Sequence, residues 1–310
     1  MAILIEAGPD AAQTWKKVLR SHESNLDIRI YPELGDPQQI TSLLSWKPPS
    51  GLLPRLTSLR LLQCSGAGVD QLLGHPDLHT GIQVARLVDS GQARDLATYV
   101  LGAAVAWYRR LDIYAAQQAL YEWRRIFPHP RSADCKVGVM GMGMMGQTIA
   151  NAFMACGFPV SGWSGTGKAL NGVETFSGRS KLLAFAQKCN ILVCALPLTP
   201  ETRGILNDEL FQVLASPGLV VNVGRGEHIV ESDLLAWLER DQLASAALDV
   251  HKEEPLPSSH PFWKHLRIRV TPHIGAFADP QNVAWQVIEN HRRVLAGAPP
   301  VNLIDFHRGY

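Results

Sequence analysis

The stretch Lys136-Val137-Gly138-Val139-Met140-Gly141-Met142-Gly143-Met144-Met145-Gly146 decides the fold. An apolar run ends at Met140, three glycines follow at the spacing G-x-G-x-x-G, and a helical pattern runs on from Met144 to Cys156. Strand, tight turn and helix N-terminus in that order form a cradle for the pyrophosphate of a dinucleotide. Gly141 permits the turn, Gly143 lets the backbone approach the phosphates, and Gly146 lets the helix pack closely on the strand. The helix N-terminus, where Met144 and Met145 stand, adds amide donors and a partial positive charge.

Downstream of this unit the alternation continues. Strands are expected at Lys136–Met140, Pro159–Trp163, Ile191–Ala195, Gly218–Val223, Ala244–Asp249 and Arg267–Thr271. Helical patterns lie between them at Met144–Cys156, Ser180–Lys188, Asn207–Leu214 and Glu231–Arg240. Six strands with intervening helices fit a doubly wound sheet. Upstream, Ala2–Glu6, Asp27–Tyr31, Leu43–Trp46, Leu59–Cys64 and Ile82–Ala85 read as strands and Ala11–His22 as a helix, a second and smaller α/β unit. One unbroken helix is expected from about Ala93 to Tyr121, ended by Phe127-Pro128-His129-Pro130. A final helix, Pro280–Ala296, is expected to return to the N-terminal unit.

Composition bounds the function. Of 310 residues 46% are apolar and 18% charged, and the net charge is +1. A large core is therefore expected, with no electrostatic case for nucleic acid or an anionic membrane. The five cysteines, Cys64, Cys135, Cys156, Cys189 and Cys194, form no C-x-x-C pair, and an odd number argues against a disulfide framework, so reduced thiols and a cytoplasmic setting are expected. The segment Met1–Glu6 meets an acid too early for a signal peptide, and the apolar stretch Leu96–Tyr108 is too short to span a bilayer. With no H-E-x-x-H and no Cys/His cluster at ligand spacing, no metal site is expected.

Three residues past expected strand ends carry the chemistry: Arg225 in Asn222-Val223-Gly224-Arg225-Gly226, Glu254 in Asp249-Val250-His251-Lys252-Glu253-Glu254-Pro255, and His273 in Thr271-Pro272-His273-Ile274-Gly275. A fixed cation to hold a carboxylate, with a carboxylate-supported histidine to move a proton, is equipment for reducing a 2-keto acid. At the end of the second strand Trp163-Ser164-Gly165-Thr166-Gly167-Lys168 has no acid to hold ribose hydroxyls. Ser164, Thr166 and Lys168 can instead bind a 2′-phosphate, which favours NADP(H) over NAD(H).

These motifs, with Leu196-Pro197-Leu198-Thr199-Pro200-Glu201-Thr202 and Ser65-Gly66-Ala67-Gly68-Val69-Asp70, resemble the D-2-hydroxyacid dehydrogenase family. Trp46-Lys47-Pro48-Pro49, Trp107-Tyr108-Arg109-Arg110, Gly157-Phe158-Pro159 and Arg308-Gly309-Tyr310 extend the likeness to its bacterial glyoxylate and hydroxypyruvate reductases. The resemblance implies an α/β protein of two doubly wound domains. A Rossmann dinucleotide domain, 93–278, would be inserted in a flavodoxin-like substrate domain, 1–92 plus 279–310. It implies that Arg225 binds the substrate carboxylate and polarises the keto oxygen, that His273 is the acid/base, and that Glu254 fixes its tautomer and favours its cation. Amides at Ala67 and Gly68 would hold the other carboxylate oxygen. Trp46 and Trp123 would wall the pocket or serve as core or interface. Leu196, Pro197, Thr202, Val223, Gly224, Asp249 and Gly275 would line the cofactor, with Asp249 facing the nicotinamide amide. The helix at 93–121 would pair two copies into a homodimer, and substrate would lie between the domains.

Two departures stand out: Gly165 and Gly167 where those reductases carry arginines, and His251 where the family carries an aromatic. The competing expectations are a dinucleotide-sensing binding protein without turnover, and an oxidoreductase of another small anion.

Overall fold

Short runs that are apolar on both faces become strands, because a parallel sheet is covered by helices above and below. The computed structural model describes residues 1–128, 131–165, 167 and 170–306. The chain divides into two compact units, Met1–Gln92 with Phe277–Tyr310, and Ala93–Ala276.

In the first unit β1 (Ala2–Glu6), β2 (Asp27–Ile30), β3 (Ile40–Ser45), β4 (Leu61–Cys64) and β5 (Gln83–Ala85) form a parallel sheet in the order β2-β1-β3-β4-β5. That is the flavodoxin-like order. Helix α1 (Pro9–His22) starts on a proline, whose missing N–H costs nothing at a helix start, and buries Ala12, Trp15, Val18 and Leu19. A four-residue α2 (Asp70–Leu73) follows β4.

In the second unit the strands are β6 (Val137–Met140), β7 (Val160–Ser164), β8 (Glu174–Ser177), β9 (Ile191–Cys194), β10 (Leu219–Asn222), β11 (Ser245–Leu248) and β12 (Ile268–Val270), in the order β12-β11-β10-β9-β6-β7-β8. This is the doubly wound Rossmann order, with its switch point between β6 and β9. Strand β8 is absent from the sequence expectation. It is an edge strand of Glu174, Thr175, Phe176 and Ser177, with Phe176 its sole apolar residue, so it shows none of the buried apolar run used to find the others.

The helix expected unbroken over 93–121 is two helices, α3 (Ser90–Tyr108) and α4 (Leu111–Ala119). Arg110 between them has φ 56°, the left-handed conformation that ends an α-helix. No glycine or proline marks this break, so propensity could not reveal it. The remaining helices are α5 (Met144–Ala155), α6 (Leu182–Ala186), α7 (Asp208–Val213), α8 (Glu231–Glu239) and, in the first unit, α9 (Pro280–Leu295). Asp279 caps α9 by accepting from the Gln281 amide. Helix α9 lays Val283, Ala284, Val287 and Ile288 against Ile3, Ile5 and Trp15. Its buried polar residues meet polar sheet residues: His291 Nδ1 lies 2.7 Å from Ser42 Oγ, and the Asn290 amide donates to Gln63 Oε1 at 2.8 Å. Among the described residues no helix is long and apolar enough to cross a membrane.

Candidate active site

Parallel strands of one sheet end on the same edge, and here that edge gathers the polar groups. Asn222 of β10 pairs with Leu248 of β11, and Leu248 with Val270 of β12. The segments carrying Arg225, Glu254 and His273 therefore leave three adjacent strand ends.

His273 and Glu254 are in contact. His273 Nδ1 stands 2.8 Å from Glu254 Oε2. A carboxylate only accepts, so Nδ1 carries a proton and Nε2 is the nitrogen left to face a reactant. Glu254 Oε1 accepts from the His251 amide at 2.9 Å. Partial burial acts to raise the Glu254 carboxyl, but the hydrogen bonds from His273 and the His251 amide outweigh it and hold the group below its ordinary range. His273 has φ 54°, a left-handed conformation that a residue with a Cβ adopts only when its surroundings over-determine it.

Those surroundings are centred on Asp249. Its carboxylate is buried and accepts from the Thr271 hydroxyl (2.6 Å), the Ile274 amide (2.9 Å) and the Gly275 amide (2.8 Å). The Asp249 carbonyl accepts from the His273 amide at 2.8 Å. Tyr99 Oη, on α3, lies 2.6 Å from Thr271 Oγ1. Because the threonine proton is directed to Asp249, the tyrosine donates. Burial pushes the Tyr99 hydroxyl up, so it keeps that proton. Asp249 thus fastens the loop that carries His273.

Arg225 sits in an extended conformation in a turn pinned from beneath. The Asn222 side-chain amide donates to the Arg225 carbonyl at 2.7 Å, and Asn222 Oδ1 accepts from the Gly224 amide at 3.2 Å. The Arg225 amide donates to His228 Nδ1 at 2.9 Å, and His228 Nε2 reaches the Pro197 carbonyl at 3.3 Å. Arg225 Nη1 donates to the Gly224 carbonyl at 2.7 Å. Asn222 and His228 are completely buried. Sequence reasoning gave His228 no role; its place three residues past Arg225, in a turn closing over a buried strand end, was the available signal.

The glycine loop stands at the switch point. Gly141 has φ 99°, open to glycine at little cost, and a Cβ there would come within 2.6 Å of the Ala195 carbonyl oxygen. A Cβ on Gly146 would overlap the Gly141 carbonyl oxygen. Above Gly143, the N-cap of α5, a Cβ would meet nothing within 4 Å, which leaves room for a phosphate against the helix N-terminus that Met144 and Met145 begin. The residues present therefore fit a dinucleotide. Leu196 is buried beside the loop, and the Pro197 carbonyl accepts from the Thr202 hydroxyl at 2.8 Å, so Thr202 is built into its own turn. Val223 packs against the core. Ser164 ends β7, and its hydroxyl accepts from the Gly167 amide at 3.0 Å. Thr166 and Lys168, expected at the same phosphate, lie outside the described residues, as do His129, Pro130 and the Arg308-Gly309-Tyr310 likeness.

Trp46, Ala67 and Gly68 belong to the first unit. A Cβ on Gly66 would approach the Trp46 ring to 2.6 Å, so the indole rests on the turn after β4 that carries Ala67 and Gly68. Trp123 is 91% exposed, which excludes it from the core of the second unit. Among the described residues no group of three or more His, Cys, Asp or Glu side chains is placed to hold a metal ion.

Comparison with known proteins identifies the family. Residues 101–275 match the family model described as D-isomer specific 2-hydroxyacid dehydrogenase, NAD binding domain. The glyoxylate/hydroxypyruvate reductase A of Yersinia enterocolitica is 39% identical over 304 residues, 96% of each chain. A D-isomer specific 2-hydroxyacid dehydrogenase from Xanthobacter autotrophicus Py2, crystallised with NADPH and MES, superposes with a TM-score of 0.93 at 37% identity, covering 100% of this chain and 99% of that one. The NADPH-dependent glyoxylate/hydroxypyruvate reductase of Sinorhizobium meliloti, in complex with NADP and sulfate, gives 0.92 at 31% identity, covering 100% of both chains. A family model spanning more than half of the sequence, and relatives matched along nearly all of it, lead to one conclusion: this chain belongs to the D-isomer specific 2-hydroxyacid dehydrogenase family.

Proposed function

We propose that this protein is an NADPH-preferring reductase of small 2-keto acids, turning glyoxylate into glycolate and hydroxypyruvate into glycerate. The observation that carries the proposal is the 2.8 Å contact between His273 Nδ1 and Glu254 Oε2 at the sheet edge from which the Arg225 turn also departs. Held at the loop of Gly141, Gly143 and Gly146, a dinucleotide would supply the hydride for the keto carbon. His273 Nε2 donates a proton to the keto oxygen, and Glu254 stabilises the imidazolium from which that proton leaves. Arg225 binds the carboxylate with a planar, permanently charged fork and draws electron density from the carbonyl. The Ala67 and Gly68 amides are proposed as further donors to the carboxylate, and Trp46 as an apolar wall.

The preference for NADPH is supported by the two crystallised relatives that hold NADPH or NADP and by Ser164, rather than an acid, at the end of β7. A cytoplasmic homodimer completes the proposal. It is supported by five cysteines free of disulfides and by the exposed apolar side chains Leu111, Ile113, Leu120, Tyr121, Trp123 and Phe127 along and just beyond α4.

The test is nicotinamide absorbance with purified protein, glyoxylate or hydroxypyruvate, and NADPH and NADH in parallel. Rapid oxidation of NADPH in excess of NADH is expected, and His273→Ala is expected to lose roughly 10²–10⁴-fold in rate. Binding of dinucleotide without turnover of either keto acid would refute the proposal and favour a sensor or another anionic substrate.

A further inference from the structure

Arg225, Glu254 and His273 sit on three separate segments, and His251, on the segment of Glu254, touches the other two. Its amide donates to Glu254 Oε1 at 2.9 Å. Its ring Nε2 lies 3.1 Å from the carbonyl oxygen of Thr271, two residues before His273. Its own backbone presses on the turn that carries Arg225, since a Cβ on Gly226 would overlap the His251 carbonyl group and the Lys252 amide. The side chain is 7% exposed.

A carbonyl oxygen only accepts, so Nε2 carries the ring proton and donates it. Nδ1 is then an acceptor, and it is buried with no hydrogen-bond partner. A buried polar atom left unpaired is unfavourable and calls for a reason. A phenyl ring would fill the same space without that cost, and the family resemblance places an aromatic here. What the imidazole adds is a single N–H aimed at Thr271. Asp249 already fastens the start of the two segments to one another, and the His251 bond adds a second tie nearer Glu254, whose own contact with His273 is one exchangeable hydrogen bond.

We propose that His251 is a positioning residue for the Glu254–His273 pair, holding the two segments in register through its ring N–H while its amide orients the Glu254 carboxylate. The inference rests on the proposed reductase function, in which that pair delivers the proton. The contact with the Arg225 turn at Gly226 is made by the backbone of His251, so any side chain at 251 retains it. Loss of the ring N–H therefore acts on turnover and leaves keto-acid affinity nearly untouched.

The experiment compares wild type with His251→Phe and His251→Gln in single-turnover glyoxylate reduction with NADPH, alongside nitrogen-15 NMR of the histidine rings. His251→Phe is expected to lower the rate about tenfold, the size of one orienting hydrogen bond lost, with KM within twofold. His251→Gln, which restores an N–H donor, is expected to return within threefold of wild type. In wild type, NMR should show the His251 ring, when neutral, as its Nε2–H tautomer. Equal rates in wild type and His251→Phe, equal losses in both variants, or an Nδ1–H tautomer would overturn the proposal. Should His251→Phe not fold, the tautomer and the rate of His251→Gln still decide it. Absence of keto-acid turnover in wild type would instead count against the reductase assignment, with the tautomer measurement unaffected.

Discussion

Glu254→Gln removes one charge and almost no volume, and the site predicts how much that costs. Glu254 faces two donors: the His251 amide at Oε1 and His273 Nδ1–H at Oε2. Glutamine offers one oxygen and one NH₂, so whichever way it turns, a donor meets a donor. If the oxygen stays with the His251 amide, the imidazole must move its proton to Nε2 and its cation loses its partner. A hydrogen bond to a charged group contributes about 1.5–3 kcal/mol. The two side chains are 34% and 38% exposed, so solvent screening selects the lower end, about 1.5 kcal/mol or roughly tenfold in rate. The assay is single-turnover reduction of glyoxylate from pH 5.5 to 9. The expected result is a rate about tenfold lower near neutrality and a KM close to wild type because Arg225 is intact. In wild type the Glu254 carboxyl is held below its ordinary 4.5. The pair's contribution is therefore present above that value and lost only as pH falls through the depressed one. Wild type should consequently keep the pair intact from pH 7 to 5.5. A variant with a rate within twofold of wild type near neutrality would refute this account of the pair.

Arg225→Met should raise KM and lower kcat together, with kcat/KM down by about 10²–10³, because a charge-assisted fork on substrate and transition state is lost; unchanged kinetics would contradict its role. Gly146→Ala should abolish measurable NADPH binding by fluorescence titration, since the new Cβ displaces the Gly141 carbonyl from the phosphate turn; wild-type affinity would show the loop is not the site. Burial of His291 beside Ser42 pushes its imidazole down to about 4 from an ordinary 6.5. The unfolded chain takes up that proton first, so stability is complete above 6.5 and about 3 kcal/mol is lost as pH falls to about 4. Urea titrations at pH 7, 5.5 and 4 should show this loss reduced in His291→Gln, and parallel curves would exclude it.

Much of this protein is settled along the chain. Buried parallel strands are continuous apolar runs, so Ile191–Cys194 or Leu219–Asn222 declare themselves locally. Gly141 and Gly146 state their turn because only glycine tolerates a positive φ or a backbone in contact, and Gly143 leaves the space above the helix N-terminus open. The residue types and spacing around Arg225, Glu254 and His273 indicated the chemistry, and the α/β class followed from the alternation of elements. Other features exist only once the strands are paired. Edge strand β8 has no apolar run to betray it, and the break at Arg110 has no glycine or proline. The contact of His273 with Glu254, the commitment of Asp249 to the loop of His273, the reach of His251 to Thr271 and that of His228 to the Pro197 carbonyl join residues 19 to 31 positions apart. Local sequence encodes backbone propensity and burial pattern; which donor meets which acceptor is decided by the parallel register that brings β10, β11 and β12 to one edge.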